Sequence, residues 1–159
     1  MSARAAPPEA LMPFEHPSAH VIELEVEARD IDAYDHVNNA VYLTWLDRAA
    51  WSHSAALGVP LEKCVALRRG MAALRTEIDF VRAALRGDRV HVATWIAVAD
   101  RLRVERRFQV LRAADGATLA RARTEYVCIN LDSGRAVRMP ELFARAYIAA
   151  GDFGQSTNN

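Results

Sequence analysis

A long helical pattern over residues 39–57 constrains the fold more than any other feature of the sequence. The pattern is apolar around most of its circumference, and its polar interruptions are Thr44, Asp47, Arg48, Ser52, His53 and Ser54. Asn38 or Asn39 is a strong N-cap, and Gly58 followed by Pro60 ends the pattern. A helix with so little polar surface is normally wrapped by the rest of its protein, so the chain must supply a covering layer.

Strand patterns on both sides of the helix supply that layer. Residues 22–28 alternate apolar and charged side chains, as a half-buried strand does. After a predicted loop over residues 63–69, further strand-like runs follow at residues 72–80, 90–98, 102–111 and 117–130. We predict that these four strands form an antiparallel meander that curls around the helix, which gives an α+β fold class.

The two ends of the chain differ in pattern from the middle. Pro140 opens a short terminal helix over residues 141–150, because proline is tolerated in a first helical turn. A chain of 159 residues is expected to form one domain, which we place at residues 19–150. We expect a flexible arm over residues 1–18 and a disordered tail over residues 151–159.

Charge and cysteine usage exclude several classes of function. Lys+Arg and Asp+Glu both number 20, so no global field attracts nucleic acid or an anionic membrane. Cys64 and Cys128 are isolated, which indicates free thiols in a reducing compartment. No apolar run approaches the roughly 20 residues that span a bilayer, and the N-terminus lacks the pattern of a signal peptide. The sequence therefore predicts a cytoplasmic protein without nucleic-acid or membrane partners.

A polar segment over residues 30–39, between the first strand and the helix, carries the candidate chemistry. Asp30 or Asp32 is suited to act as a general base or as a nucleophile. The adjacent helix start offers free N–H groups that stabilise an oxyanion. His36 is able to orient the carboxylate, hold a carbonyl or carry a proton. The alternative is structural, since Asp and Asn commonly cap turns and helices and a lone His often only donates a hydrogen bond.

The same segment does not match a metal or phosphate site. A helix-loop-helix calcium loop counted from Asp30 needs glycine at its sixth position and glutamate at its twelfth, but these are Asp35 and Val41. A zinc site with one His and no Cys is poor. The sequence has no glycine-rich phosphate loop and no GxSxG elbow. We expect neither a metal nor a cofactor.

The residues from Asp32 through His36-Val37-Asn38-Asn39 to Tyr42-Leu43 resemble the signature of the hotdog-fold thioesterases. The likeness is nearest to the 4-hydroxybenzoyl-CoA thioesterase branch, which includes bacterial long-chain acyl-CoA thioesterases. It implies an antiparallel sheet of five to six strands wrapped around one long central helix. It also implies a homodimer or homotetramer with the site at the dimer interface, and hydrolysis of a fatty or aromatic acyl-CoA.

The resemblance also implies a role for individual residues. Asp32 matches the catalytic nucleophile or general base, and the backbone amide of Asn39 matches the group that polarises the thioester carbonyl. His36 matches a third catalytic position. Asn38 and Tyr42 match residues that shape the substrate site.

Arginines after the third strand are the candidates for the CoA phosphates. Arg101 and Arg103 are the first choice, with Arg106 and Arg107 beside them, because the guanidinium group binds phosphate well. The alternative is that these arginines line a solvated strand face.

Two positions depart from the family pattern. Tyr34 stands where related plant enzymes have a catalytic Asn, and Asp35 stands where many relatives have Gly. Another hotdog branch uses a Glu on the central helix, where this chain offers only Asp47. Two other functions therefore stay open: a binding module for acyl-CoA or acyl carrier protein that does not hydrolyse its ligand, and an enoyl-CoA hydratase.

Overall fold

The computed structural model describes residues 12–151 and contains one sheet and three α-helices. The elements in chain order are β1 (His20–Glu25), α1 (Asn39–Ala56), α2 (Leu61–Leu67), β2 (Arg69–Phe80), β3 (Arg89–Ala99), β4 (Arg103–Arg112), β5 (Thr118–Asn130) and α3 (Glu141–Gly151). The arm and tail predicted for residues 1–11 and 152–159 lie outside the described residues. Residues 12–18 lie against the sheet, where the amide of Glu15 donates to Gln109 Oε1 at 2.9 Å.

The five strands form one antiparallel sheet in the order β1-β3-β4-β5-β2. The predicted meander is correct for β3, β4 and β5 and wrong for β2. Instead of pairing with β3, β2 crosses to the far edge and pairs with β5, from Arg69↔Asn130 to Phe80↔Ala120. The alternation of side chains fixes which face a residue occupies, but it does not fix which strand lies next to it.

α1 packs across the concave face of this sheet and forms the main core with it. Its buried residues are Tyr42, Trp45, Leu46, Ala49, Ala50, His53 and Ser54. The expected fold class is confirmed: the chain is α+β, with a five-stranded antiparallel sheet around one long helix, as in the hotdog fold. The cover is incomplete within one chain, since Leu43 is 50% exposed and Trp51 is 45% exposed.

The loop predicted over residues 63–69 is wrong, because the chain forms the helix α2 there. Pro60 precedes its first residue, and Arg68 ends it in the left-handed region at φ 52°. The helix is only seven residues long, and of these only Cys64 is buried. Such a short segment carries too little periodicity to distinguish it from a loop.

α3 closes the other end of the sheet. Phe143, Ala144 and Tyr147 pack into a second core that includes Val59 and Cys128. The cysteines are both buried and free. No helix within residues 12–151 combines the length and the hydropathy that crossing a membrane requires.

Candidate active site

The loop between β1 and α1 is held in shape mainly by its own backbone. Ile31 and Val37 form an isolated antiparallel bridge, and the amide of Asp32 donates to the His36 carbonyl at 2.8 Å. Asp35 lies in the left-handed region at φ 59°. Glycine reaches this conformation without strain, and Asp is one of the few other residues that tolerate it. The departure from the family glycine is therefore accommodated by Asp35 at this turn.

The two candidate carboxylates of the loop are held differently. Asp30 Oδ2 accepts from the amide of Glu27 at 2.9 Å, as part of a capping box around a short 3-10 turn. Asp32 is half-buried, and its Oδ1 accepts from the amides of Tyr34 at 2.8 Å and His36 at 3.4 Å. Within the described part of the chain, Asp32 Oδ2 accepts no hydrogen bond. Asp32 thus has one oxygen fixed by the loop and one available to a substrate or a water molecule.

The first turn of α1 leaves one amide free. Asn38 is the N-cap: its Oδ1 accepts from the amide of Ala40, and its carbonyl accepts from the amide of Val41, both at 2.9 Å. The amide of Asn38 itself donates to the Asp30 carbonyl at 2.8 Å. The amide of Asn39 has no hydrogen-bond acceptor among residues 12–151. It therefore remains at the positive end of the helix dipole as a donor for a ligand.

An open cleft of about 340 Å³ brings most of the predicted residues together. Its lining consists of Asp32, Tyr34, His36, Val37, Asn39, Tyr42, Phe80, Val81, Arg82 and Ala83. We call it the Asp32 cleft. Asn38 does not line the cleft and acts as a helix cap instead. The His36 side chain is exposed and makes no hydrogen bond to the Asp32 carboxylate.

Tyr42 forms the floor of the Asp32 cleft. Its ring is buried against Trp45 and Phe80, with ring centroids 4.9 and 5.2 Å away. Its hydroxyl accepts from the amide of Ala84 at 3.1 Å, and burial raises the pKa of Tyr42. Tyr42 therefore supports the cleft from below and also fixes the chain that follows β2.

Sequence reasoning missed the wall of the cleft that β2 supplies. Phe80 is 47% exposed and Val81 is 48% exposed, and both are apolar residues beside Asp32. Arg82 follows them and brings a positive charge to the same cleft. The available signal was an apolar pair followed by Arg at the end of a strand pattern, but its position depends on the unpredicted β2–β5 pairing.

The predicted phosphate ligands lie far from Asp32 in the same chain. The amide of Val37 donates to the Ala84 carbonyl at 2.9 Å, which places the Asp32 loop near the start of β3. Arg101 and Arg103 follow the end of β3, so about 30 Å of strand separates them from the loop. Arg101 forms an ion pair with Glu141 at 3.2 Å. Arg82 is the arginine that lines the Asp32 cleft itself.

A second polar cluster lies under the other half of α1 and was not predicted. Arg106 on β4 is 3% exposed; its Nη1 donates to His53 Nδ1 and its Nη2 donates to Ser54 Oγ, both at 2.7 Å. The Tyr147 hydroxyl lies 3.0 Å from Ser54 Oγ, and the Arg106 guanidinium lies 5.7 Å from the centre of the Tyr147 ring. Burial, together with the Arg106 charge and His20, lowers the pKa of His53 to about 3. His53 is therefore neutral near pH 7.

This cluster borders a pocket of about 180 Å³ between α1 and the sheet, which we call the Arg106 pocket. Its lining consists of Asp47, Ala50, Trp51, Ser54, Cys64, Met71, Ala73, Val104, Arg106, Tyr126 and Tyr147. A neighbouring open groove of about 420 Å³ shares Asp47, Ala73 and Tyr126 with it and reaches Ala40 at the start of α1. We call this second space the α1 groove. Among residues 12–151, no group of three or more His, Cys, Asp or Glu side chains is arranged to hold a metal ion.

Comparison with known proteins agrees with this geometry. The sequence model of the thioesterase-like superfamily matches residues 26–147. A hypothetical protein from Thermus thermophilus is 25% identical over 82% of this chain and 98% of its own, with a TM-score of 0.77. None of the curated proteins compared with the chain matches it.

Two further solved structures share the fold. A 1,4-dihydroxy-2-naphthoyl-CoA thioesterase from Synechocystis is 24% identical over 87% of this chain and 99% of its own, with a TM-score of 0.75. A hypothetical protein from Staphylococcus aureus, solved in complex with CoA, is 20% identical over 89% of this chain and 88% of its own, with a TM-score of 0.79.

Proposed function

Because the chain belongs to the thioesterase-like superfamily, we propose that it is an acyl-CoA thioesterase that hydrolyses a fatty or aromatic acyl-CoA to the free acid and CoA. One observation carries the proposal. The free oxygen of Asp32 and the unbonded amide of Asn39 line the same cleft. A base or nucleophile and an oxyanion donor are the two groups that acyl transfer requires.

The proposed reaction uses these two groups in sequence. The amide of Asn39 donates to the thioester carbonyl, and Asp32 removes a proton from a water molecule that adds to the carbonyl carbon. The tetrahedral oxyanion is stabilised by the amide and by the dipole of α1. The C–S bond then breaks, and the CoA thiolate takes the proton from Asp32. Alternatively, Asp32 attacks the carbonyl itself, and water hydrolyses the resulting anhydride.

The other cleft residues have proposed roles in binding and proton transfer. The exposed imidazole of His36 is free to exchange protons with solvent beside Asp32. Tyr42 shapes the floor, and Asn38 aims the Asn39 amide through its cap. Arg82, which lines the cleft, is the nearest candidate for a CoA phosphate. Arg101 and Arg103 remain candidates only where a second copy of the chain brings them to the cleft.

A panel of acyl-CoA substrates with a thiol-reactive dye tests the function. Short, long and aromatic acyl-CoAs should release free thiol with the wild-type protein, and Asp32→Asn should lower turnover by a factor of about 10² to 10⁴. Asp30→Asn is the matched control, because that carboxylate lies in the same loop and is occupied by the capping box. Wild-type turnover in the Asp32 variant would refute the proposal.

The same panel separates the alternatives. Binding of acyl-CoA without thiol release at any chain length would identify a binding module. Loss of enoyl-CoA absorbance without free thiol would identify a hydratase.

We also propose that two or four copies of the chain assemble with the site at their interface. β2 lies at the edge of the sheet and has one neighbour only, and its Leu74 is 53% exposed. Leu43 and Trp51 leave an apolar strip of α1 open on the same side as the α1 groove and the Arg106 pocket. An unpaired edge beside exposed apolar surface favours pairing with another chain. Light scattering should give a multiple of the 17.6 kDa chain mass, and Leu74→Lys should reduce it.

A further inference from the structure

Arg106 is a buried charge that the proposed mechanism does not use. Its hydrogen-bond partners, His53 and Ser54, are neutral, and so is the ring of Tyr147 beside it. His53 accepts through Nδ1, so its proton is on Nε2. No carboxylate within residues 12–151 forms an ion pair with Arg106. The guanidinium therefore lies in the core without a counter-charge.

Such an arrangement is expensive unless a ligand completes it. A buried cation without an anionic partner destabilises a protein by several kcal/mol. The guanidinium also has more N–H donors than the two acceptors that His53 and Ser54 supply. A carboxylate is the ligand whose two oxygens match the planar guanidinium. The site thus has the charge and the donors for an organic acid.

The shape of the surrounding space indicates how the acid arrives. Ala40, Leu43, Asp47, Ala50 and Ser54 follow one another at spacings of three and four, so they share one face of α1. The first three line the α1 groove, and the last three line the Arg106 pocket. From the start of α1 to Ser54 the path measures about 20 Å at the helical rise per residue. The walls beside Arg106 are mainly apolar and suited to methylene groups.

We propose that the Arg106 pocket receives the distal end of the acyl group and that Arg106 binds a terminal carboxylate there. The inference rests on the proposed function and names its substrate class, the CoA thioesters of dicarboxylic acids. Asp47 is the one acid in the pocket lining; it is exposed, so water screens its charge, whereas Arg106 is dry.

Wild-type selectivity gives the first test and needs no variant. Glutaryl-, adipoyl- and suberoyl-CoA are compared with pentanoyl-, hexanoyl- and octanoyl-CoA, which have the same chain lengths but end in a methyl group. At the best length, kcat/KM for the carboxyl-ended thioester should exceed that of its partner by at least about tenfold, because a site built for a polar group rejects an analogue that lacks it. Equal values, or a preference for the methyl end at every length, would overturn the inference.

Substitution of the arginine gives the second test. Arg106→Met keeps an apolar side chain of similar length and should abolish the preference for the carboxyl end, while hydrolysis of the methyl-ended thioesters continues. Arg107→Met is the matched control, since Arg107 is exposed on the opposite face of β4 and pairs with Glu105 at 3.1 Å. The melting temperature of each variant reports folding. A preference that survives in Arg106→Met would also overturn the inference.

A binding measurement separates this inference from the proposed hydrolysis. Calorimetric titration of the Asp32→Asn variant with adipoyl-CoA and hexanoyl-CoA should give tighter binding of adipoyl-CoA by about the same factor. Preference in binding without turnover in the wild type would support the inference and remove the hydrolase function. Turnover without preference would do the reverse, and absence of both would overturn both.

Discussion

The Asp32 carboxylate is held by backbone amides two and four residues away, whereas Arg106 is held by side chains 53 and 52 residues away. The first site faces an open cleft, and the second is closed beneath α1. Asp32 keeps one oxygen without a partner, while His53 and Ser54 are fully engaged with Arg106. A reactive group needs a free valence and contact with solvent, but a group that selects ligands gains strength from a dry environment.

This difference also separates activity from stability. The Asp32 cleft contributes little to folding, because its contacts are local and its carboxylate is partly in water. The Arg106 cluster joins α1, β4 and α3 through one set of hydrogen bonds. Substitutions in the cleft should therefore change turnover, whereas substitutions in the cluster should change the free energy of unfolding.

The largest effect is expected when the amide of Asn39 is removed. Asn39 is the first residue of α1, where proline is favoured, and Asn38 already has an extended backbone at φ −56° and ψ 134°. Asn39→Pro should lower kcat by about 10²- to 10³-fold with little change in melting temperature. Asn39→Ala retains the amide and should retain most of the activity. Equal activity in the two variants would remove this amide from the mechanism.

The next effect is the pH dependence of stability due to His53. Its pKa falls from 6.5 in the unfolded chain to about 3 in the fold, so the unfolded state binds more protons between these values. Its contribution to stability is complete above pH 6.5 and is lost as the pH falls, by at most about 1.4 kcal/mol per unit. Denaturant unfolding from pH 7 to 4 should show this slope, and His53→Gln should lack it. His36→Gln, in the exposed loop, should keep the slope.

A smaller loss of stability is expected for Ser54→Ala. The change removes the acceptor of Arg106 Nη2 and the partner of the Tyr147 hydroxyl, so two buried polar groups lose a hydrogen bond. The free energy of unfolding should fall by about 1–3 kcal/mol. Ser52→Ala on the adjacent, less buried position should cost less, although Ser52 Oγ lies 2.7 Å from His20 Nε2. Equal costs would show that the buried cluster has no special weight.

The smallest effect is expected for Asp35→Gly. Relief of the left-handed strain at φ 59° is offset by the greater freedom of glycine in the unfolded chain. Stability should rise by no more than about 1 kcal/mol, and turnover should stay within a factor of two or so of wild type. Asp35→Val, which tolerates this backbone poorly, should lower both stability and activity.

Local chemistry was predictable from the sequence. The limits of α1 followed from Asn38 and Gly58, whose capping and left-handed conformations depend only on their neighbours in the chain. The strand positions followed from alternation to within a few residues. Asp32, His36, Asn39 and Tyr42 were placed in one cleft because ten residues of loop and helix start contain them all.

Long-range chemistry was not predictable in the same way. The walls of the Asp32 cleft from β2 depend on the pairing of Phe80 with Ala120, and nothing in either strand alone specifies that neighbour. His53 and Ser54 were noted only as interruptions of an apolar helix. Their role depends on Arg106, which sequence reasoning had grouped with exposed arginines on the same strand. Alternation along β4 did place Arg106 and Arg107 on opposite faces, and that was the signal available.

The crossing of β2 to the far edge of the sheet has a kinetic consequence. β3, β4 and β5 are joined by short turns and can zip together locally, but β2 must find a partner 40 to 61 residues further along the chain. Closing such long loops is slow, because chain entropy is lost before the contacts form. Since Phe80 and Val81 arrive with β2, the substrate cleft is expected to be among the last parts of the molecule to assemble during folding.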